Sequence, residues 1–260
     1  MHPLLNTAVK AARRAGTVIV RYLDRLDRIN VEEKGRNDFV TEVDRAAEDE
    51  IVQMIHHAYP GHAILAEEGG AKPGDDFEWI IDPLDGTTNY LHGYPQFAVS
   101  IAVRKGAELE HAVVLDPLRN ELFSASRGRG AQLNDRRMRV SKTLRLQDSL
   151  IGTGFPFKTL DRLDIWLRMF RDVLVRSSGI RRAGSAALDL AHVACGRFDG
   201  FWELGLSPWD MAAGCLLIQE SGGMISDPHR QQHHLSSGDI VAGNPEIYQQ
   251  LIMLLARSFH

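Results

Sequence analysis

Apolar residues recur at helical spacing near the start of the chain, at Leu5, Val9, Ala12, Val18, Ile19 and Leu23. Because residues three or four apart lie on one face of an α-helix, this spacing, with Arg and Lys between, predicts an amphipathic opening helix. The segment 37–61 begins with an extended pattern and becomes helical after Thr41. Thr41 is a good N-cap residue, Asp44 follows three positions later, and Pro60-Gly61 ends the predicted helix.

The middle of the chain shows shorter pieces that are typical of β-strands. The runs "HAILAEE" and "EWIIDP" are apolar and end in acidic residues. Residues 96–134 form apolar and small-residue pieces that are broken at Lys105-Gly106, Asp116-Pro117 and Arg127-Gly128. Because turn residues between short alternating runs favour hairpins, this region predicts an antiparallel meander.

Helical periodicity returns after the predicted strand "SLIGTGF". It predicts helices in "LDRLDIWLRMFRDVLVRS", "SAALDLAHVACG" and "SPWDMAAGCLLIQESGG", the last capped by Asp210, and a final helix from about 245 to 258. Strands are predicted in "FDGFWELG" and "DIVAGN". Helices and strands mix without strict βαβ repetition, which indicates an α+β fold with sheets covered by helices. We expect a single domain over residues 1–260, with an N-terminal α+β half of about 1–145 and a C-terminal α/β half of about 146–260.

Composition narrows the class of protein. Apolar residues make up 44% of the chain and charged residues 25%, as in ordinary globular proteins. A net charge of -4 provides no general attraction to nucleic acid or anionic membranes, so any such contact needs a local patch. Cys195 and Cys215 lie in apolar, helix-like segments and predict reduced thiols, and no apolar run approaches a membrane span. We therefore expect a cytoplasmic protein without membrane partners.

Two carboxylates three residues apart follow the apolar run of "EWIIDPLDGTT". Asp82 precedes Pro83, which favours extended backbone, and Asp85 stands where the N-cap of a helix would stand. The N–H groups of the helical turn that starts at Gly86 and Thr87 would attract an anion. Acids and an anion coexist only with a cation between them, and Mg²⁺ prefers such oxygen ligands. The alternative is an ordinary capped turn.

Three further segments carry candidate residues for the same site. They are Glu67 in "ILAEEGG", Asp210 in "PWDMAAG", and Lys34, Thr41 and Asp44 in "EEKGRNDFVTEVD". Each has an ordinary alternative: a solvated acidic loop, a helix N-cap and a charged surface loop. Spacing alone does not decide between these alternatives and a shared site.

The motifs "KGRNDFVTEVD", "AEEGG", "WIIDPLDGTTNY" and "PWDMAAG", in this order, resemble the inositol monophosphatase family of magnesium-dependent, lithium-sensitive phosphatases. The resemblance covers essentially the whole chain. It is strongest to a bacterial branch that combines the phosphatase fold with a role in ribosomal RNA transcription. It implies a layered α-β-α-β-α sandwich and a homodimer.

The resemblance also implies roles for residues around two or three Mg²⁺ ions. Glu67, Asp82 and the carbonyl of Leu84 would hold the first ion, and a third, weaker ion would lie near Glu67. Asp82, Asp85 and Asp210 would hold the second ion. Gly86 and Thr87 would bind phosphate through backbone N–H groups. Glu67 and Thr87 would orient and activate the attacking water, and Asp82 would bridge two ions.

The remaining implied roles concern the alcohol and the support of the site. The alcohol pocket would be lined by Asp85, Gly184, Ser185, Ala186 and Glu203. Lys34, Thr41 and Asp44 would lie behind the water and Thr87. The resemblance therefore implies a phosphatase acting on inositol 1-phosphate and related small monoesters.

Alternative functions remain open on the sequence. Within the enzyme class, a bisphosphate nucleotide or fructose bisphosphate could be the substrate, although "GSAALD" with "FWELG" favours an inositol-type pocket. The other class is a non-catalytic regulator that binds RNA polymerase or transcription elongation factors. The basic segment 127–139 gives no strong nucleic-acid signal, because charged hairpin turns look the same.

Overall fold

The computed structural model describes residues 2–35, 38–157 and 160–259, without the side chains of Arg28 and of residues 33–38. Its α-helices are α1 (Pro3–Leu23), α2 (Glu42–Ala58), α3 (Thr87–Leu91), α4 (Leu163–Leu174), α5 (Ala186–Ala194), α6 (Pro208–Glu220), α7 (His234–Ser237) and α8 (Pro245–Leu255). Short 3₁₀ turns span Leu26–Arg28, Leu146–Asp148, Leu160–Arg162 and Ala256–Phe259. None of the helices in the described ranges is both long and apolar enough to cross a membrane.

The strands form a hairpin and two larger sheets. The hairpin pairs β1 (Val31–Gly35) with β2 (Asp38–Thr41). The eight-stranded sheet contains β3 (Ala63–Ala66), β4 (Gly70–Lys72), β5 (Phe77–Asp85), β6 (Ala98–Lys105), β7 (Glu108–Asp116), β8 (Glu121–Ser126), β9 (Gly130–Leu133) and β10 (Arg136–Arg137). The five-stranded sheet contains β11 (Leu150–Thr153), β12 (Gly179–Arg181), β13 (Gly200–Glu203), β14 (Met224–Ser226) and β15 (Ile240–Gly243).

The order of strands is β10-β9-β8-β7-β6-β5-β3-β4 in the larger sheet and β12-β11-β13-β15-β14 in the smaller one. From β5 to β10 each strand pairs antiparallel with the next, so the predicted meander is confirmed. β3 runs parallel to β5, which brings the ends of these two strands to the same edge of the sheet.

Five layers build the molecule. Helices α1 and α2 cover one face of the larger sheet, α5 and α6 cover its other face and contact the smaller sheet, and α4 and α8 lie on the far side. On β5, Trp79 and Ile81 pack under α1 and α2 whereas Ile80 packs toward α5 and α6. This alternation follows from the two-residue period of a strand buried on both faces. The predicted α+β layered sandwich is confirmed.

Two predicted helix caps are wrong. Asp85 is the last residue of β5, and Gly86, with a φ of 99°, is the N-cap of α3. Asp210 is the third residue of α6, whose N-cap is Ser207. The sequence pattern predicted an N-cap at both acids because Asp is favoured there. In the structure Asp85 lies immediately before the N-cap of α3, and Asp210 lies at the third position of α6.

Candidate active site

A cleft of about 320 Å³ opens where β5, α3, α5 and α6 meet. It gathers side chains from distant parts of the sequence, and most of the predicted site residues line it: Glu67, Asp82, Leu84, Asp85, Gly86, Thr87, Gly184, Ser185, Ala186, Glu203 and Asp210. Thr41 and Asp44 lie behind it, and the side chain of Lys34 lies outside the described residues. The layered fold therefore brings together five predicted acids that are separated by up to 143 positions, from Glu67 to Asp210.

Asp82 is a deeply buried acid of the cleft, and only 1% of the residue is exposed. Its Oδ1 accepts a hydrogen bond of 3.0 Å from the backbone N–H of Leu84, which fixes the carboxylate at the end of the strand. Burial raises the pKa of Asp82 well above its ordinary value. Three neighbouring negative charges raise it further, those of Glu67, Asp85 and Asp210. This carboxylate therefore lies in a field that favours a proton or a cation.

Glu67 follows β3, and its backbone N–H donates to the carbonyl of Ile81 at 3.1 Å. The next turn is held by Glu48, a buried acid on α2 that the sequence analysis missed. The Glu48 carboxylate accepts hydrogen bonds from the N–H groups of Glu68 (2.9 Å) and Gly69 (2.6 Å). Because these bonds fix the backbone just after Glu67, Glu48 sets where Glu67 enters the cleft. No local pattern reveals this, since Glu48 is twenty residues from its partners.

Asp85 is held by the start of α5. Its Oδ2 accepts hydrogen bonds from the hydroxyl of Ser185 (2.6 Å) and from the N–H of Ala187 (2.7 Å). Burial raises the pKa of Asp85 to about 6, although these hydrogen bonds oppose the rise. The bonds fix one oxygen of the carboxylate, so the orientation of its other oxygen is set by the same contacts.

Asp210 belongs to a capping box at the start of α6. Its Oδ2 accepts a hydrogen bond of 2.7 Å from the N–H of Ser207. The carboxylate thus satisfies a backbone donor at the helix start while its charge acts on Asp82 and on Glu203. Asp210 therefore both caps the start of α6 and contributes to the negative charge of the cleft.

Thr87 is positioned by a chain of polar contacts that starts on α2. Its hydroxyl lies 3.0 Å from Oδ1 of Asp44 and 3.1 Å from the carbonyl of Leu84, with one proton for two acceptors. The buried Asp44 in turn accepts hydrogen bonds from the backbone N–H (2.9 Å) and the hydroxyl of Thr41. The predicted N-cap Thr41 is confirmed, and it forms a capping box with Asp44, which also orients Thr87.

Gly86 and Asn89 tie the site helix to the opposite wall. A Cβ on Gly86 would lie 2.9 Å from the carbonyl of Gln96 and 3.2 Å from that of Gly184, and its φ of 99° also disfavours other residues. The amide nitrogen of Asn89 lies within hydrogen-bond distance of three carbonyls, those of Gln96 (2.8 Å), Ala183 (2.9 Å) and Gly184 (3.2 Å). Asn89 therefore joins α3 to the segment that leads into Ser185. The sequence analysis gave Asn89 no role.

Glu203 ends β13 at another part of the same cleft and is half-buried. Burial, and then the charge of Asp210, raise the pKa of Glu203 to about 8. The single basic residue among the described lining residues is Arg182, whose guanidinium lies over the rings of Phe155 and Phe157. The cleft therefore holds more negative than positive charge.

The donor chemistry of the cleft fits a hard divalent cation such as Mg²⁺. The candidate ligands are carboxylate and carbonyl oxygens, and the buried acids raise one another's pKa. Among the described residues, no three His, Cys, Asp or Glu side chains already stand close enough to hold a metal ion. A bound cation would offset the repulsion among these carboxylates.

Comparison with known proteins gives a consistent result. The profile of the inositol monophosphatase family matches residues 1–260. The protein named Nus factor SuhB from Pseudomonas aeruginosa is 57% identical over 258 residues, which covers 97% of this chain and 95% of that protein.

Solved structures agree with this match. The crystal structure of extragenic suppressor protein SuhB from Bartonella henselae has a TM-score of 0.95 and 44% identity, with 98% of each chain covered. The inositol monophosphatase from Anabaena has a TM-score of 0.88 and 40% identity, covering 98% of this chain and 95% of that chain. The likeness extends over the whole described fold, including the elements that form the cleft.

Proposed function

The chain belongs to the inositol monophosphatase family, and from this premise we propose that it is a Mg²⁺-dependent phosphatase of small phosphate monoesters, inositol 1-phosphate among them. One observation carries the proposal. Asp82 is buried at the end of β5 amid the charges of three further acids, beside the start of α3. A protein that only needed a stable turn would gain nothing from such repulsion.

In the proposed site, Glu67, Asp82, Asp85, Asp210 and the carbonyl of Leu84 would hold two or three Mg²⁺ ions. When bound, the ions would activate water, stabilise the leaving oxygen and screen the charge of the phosphate. Lithium sensitivity is proposed with the family assignment.

The chain's own groups would bind and orient the reactants. The N–H groups of Gly86 and Thr87 would bind the phosphate; since α3 has five residues, these donors matter more than a helix dipole. The Thr87 hydroxyl, fixed by Asp44, would orient the attacking water. Glu67 would accept its proton. Glu203, Ser185 and Ala186 would bind the alcohol.

A substrate panel tests this proposal. Phosphate release is measured from inositol 1-phosphate, sugar phosphates, a bisphosphate nucleotide and fructose bisphosphate, with and without Mg²⁺ and Li⁺. We expect turnover of inositol 1-phosphate that requires Mg²⁺ and falls with Li⁺. Absence of Mg²⁺-dependent release from every ester would contradict the proposal.

We propose a second role in ribosomal RNA transcription antitermination, through contact with RNA polymerase or elongation factors. The support is the likeness to a protein named Nus factor SuhB at 57% identity. In a pulldown with RNA polymerase and elongation factors, wild type and Asp82→Asn should bind alike, since a partner surface need not include the cleft. Capture of neither factor by either protein would contradict this role.

The same pulldown also separates the two functions. Partner binding together with an inactive substrate panel would favour the non-catalytic regulator. A homodimer is proposed from the family as well, and sedimentation equilibrium tests it. A monomeric mass across micromolar concentrations would contradict the dimer.

A further inference from the structure

Asp189 is a buried acid in the cleft to which the proposed reaction gives no task. It lies on α5, four residues after the N-cap Ser185, and its side chain is 1% exposed. It lines the same cavity as the carboxylates described above. Its Oδ1 is buried and has no hydrogen-bond partner among the described residues. Because buried polar atoms in native proteins are nearly always paired, this carboxyl group points to a partner that binds in the cleft.

Among neighbouring charges, that of Glu203 has the largest effect on the pKa of Asp189. Burial raises the pKa of Asp189 well above its ordinary value, and the charges of Glu203 and then Asp85 raise it further, whereas Arg182 opposes them. Glu203 and Asp189 both line the cleft with the predicted metal ligands, and their charges act on one another, so we treat them as a second acidic pair. Glu203 comes from β13 and Asp189 from α5, so the smaller sheet and the middle helix layer build this pair together.

The space beside Glu203 is kept open by a glycine. A Cβ on Gly154 would lie 1.8 Å from Oε1 and 2.0 Å from Cδ of Glu203, so any other residue there would displace the carboxyl group. Gly154 and Thr153 also line the cavity. The backbone after β11 is thus shaped to keep the Glu203 carboxyl group inside the cleft.

The chemistry of this pair defines the kind of group it can bind. Two carboxyl groups that line one cleft repel a second anion, and they bind well to hydroxyl groups, which both donate and accept hydrogen bonds. A second phosphate would need a cation. Arg182 is the only basic residue among the described lining residues, and its guanidinium lies 4.7 Å from the ring centre of Phe155 and 5.0 Å from that of Phe157.

We propose that Asp189 is a further substrate-binding residue that accepts a hydrogen bond from a hydroxyl group of the alcohol, beside Glu203. The pair thereby selects phosphate monoesters of neutral, polyhydroxylated alcohols. This inference rests on the proposed phosphatase function, because it assigns the alcohol end of the same cleft. It disfavours alcohols that carry a second phosphate, such as fructose bisphosphate or a bisphosphate nucleotide.

A binding experiment tests the proposal without turnover. Ligand-observed NMR measures the affinity of myo-inositol and of cyclohexanol for the protein with Mg²⁺ and inorganic phosphate. Asp189→Leu should weaken myo-inositol binding by about tenfold, as expected for the loss of one buried hydrogen bond, and leave cyclohexanol unchanged. Asp189→Asn, which keeps an accepting oxygen, should restore part of the affinity. Asp116→Asn makes the same change at a buried acid outside the cleft and should behave as wild type.

A kinetic experiment tests the same residue in the reaction. For Asp189→Leu, we expect kcat/KM to fall about tenfold or more for inositol 1-phosphate and to stay unchanged for phenyl phosphate, whose alcohol part has no further hydroxyl. Thermal unfolding of each variant shows that the fold is retained. Equal losses on both esters, or equal myo-inositol affinity in wild type and Asp189→Leu, would overturn the proposal.

The binding experiment also separates this inference from the proposed function. If wild type hydrolyses no phosphate monoester, the proposed function fails, and myo-inositol affinity still decides the role of Asp189. Loss of that affinity in Asp189→Leu would then support an alcohol-binding pair. Absence of myo-inositol binding to wild type would overturn it.

Discussion

Two four-residue segments of the eight-stranded sheet share their first three residues and carry opposite charges at the fourth. β5 ends in Asp82-Pro83-Leu84-Asp85, and the turn after β7 reads Asp116-Pro117-Leu118-Arg119. In each turn the first aspartate is 1% exposed. In each, its Oδ1 accepts a hydrogen bond of 3.0 Å from the N–H of the leucine two residues later. The local geometry of the two aspartates is therefore closely matched.

The fourth residue separates the two turns. The guanidinium of Arg119 lies 2.6 Å from Oδ2 of Asp116, so the fold itself supplies the positive charge. In the cleft, Asp85 occupies that position, and the charges around Asp82 are negative. A basic residue three positions later thus compensates the charge of Asp116, whereas the corresponding residue after Asp82 is a second acid. The negative charge of the cleft is therefore not required by the local backbone geometry. A bound cation would compensate the charge of Asp82 as Arg119 compensates that of Asp116.

The largest expected effect comes from removing the charge in the cleft. Asp82→Asn should lower Mg²⁺-dependent turnover by at least about a hundredfold, because even residues that only support metal ligands matter by about 10–100-fold. The fold should persist, since the change removes repulsion among acids. Steady-state kinetics at low millimolar Mg²⁺, with thermal unfolding of the same sample, measures both. Near-normal turnover would contradict the ligand assignment.

The same substitution in the other turn should have the opposite profile. Asp116→Asn removes the charge of a buried carboxylate that pairs with the exposed Arg119 and should destabilise the protein by about 1–3 kcal/mol, while turnover per folded molecule stays unchanged. Urea unfolding gives the free energy of unfolding. If Asp116→Asn abolished turnover without destabilising the fold, the distinction between the two turns would fail.

A smaller effect is expected at the side chain that fixes the wall of the cleft. Asn89→Asp keeps the size of the side chain but places a carboxylate against three carbonyls. We expect kcat to fall about tenfold, because Ser185 and with it Asp85 lose their alignment. Kinetics of Asn89→Asp and Asn89→Leu should agree, since both remove the donor. Wild-type kcat in both variants would show that Asn89 does not position the site.

A further effect concerns pH and is common to wild type and Asp82→Asn. Burial lowers the pKa of His111 and of His192 from 6.5 to about 4. Between these values the unfolded chain binds protons that the folded chain does not. The stability that the neutral histidines contribute is therefore present above pH 6.5 and is lost as the pH falls toward 4. Urea unfolding at several pH values with Mg²⁺ present should show this decline. The raised pKa values of Asp189 and Glu203 act in the opposite direction. The histidine effect is therefore the difference in pH dependence between each protein and its His111→Gln/His192→Gln variant. Absence of a difference between pH 6.5 and 4 would contradict this effect.

Much of the fold could be predicted because it follows local periodicity. The opening helix, the helix that starts after Thr41, the meander and the buried strand before Asp82 all carry their pattern within a few residues. The caps predicted at Asp85 and Asp210 are wrong, because capping preference does not fix the exact position: Asp85 precedes the N-cap Gly86, and Asp210 lies at N3. The division of the chain into two halves stays a prediction.

The supporting residues of the site could not be predicted because their contacts are long-range. Asn89 bonds to residues more than ninety positions away, and Glu48 bonds to a turn twenty positions away. In sequence, both look like ordinary polar residues of a helix. In sequence Asp189 looks like an ordinary acid of a helix, and it is buried only because α5 packs against the rest of the fold. Family resemblance supplied the candidate ligands, whereas the physical reasons for their positions come from the packed layers.

The most direct test of the central claim is whether Mg²⁺ stabilises the protein through Asp82. Thermal unfolding midpoints are compared with EDTA and with Mg²⁺ for wild type, Asp82→Asn and Asp116→Asn. Wild type and Asp116→Asn should gain about 2–4 °C for each kcal/mol of Mg²⁺ binding, and Asp82→Asn should gain much less. An equal gain in Asp82→Asn, or no gain in wild type, would contradict the claim that the acids of the cleft bind Mg²⁺ through Asp82.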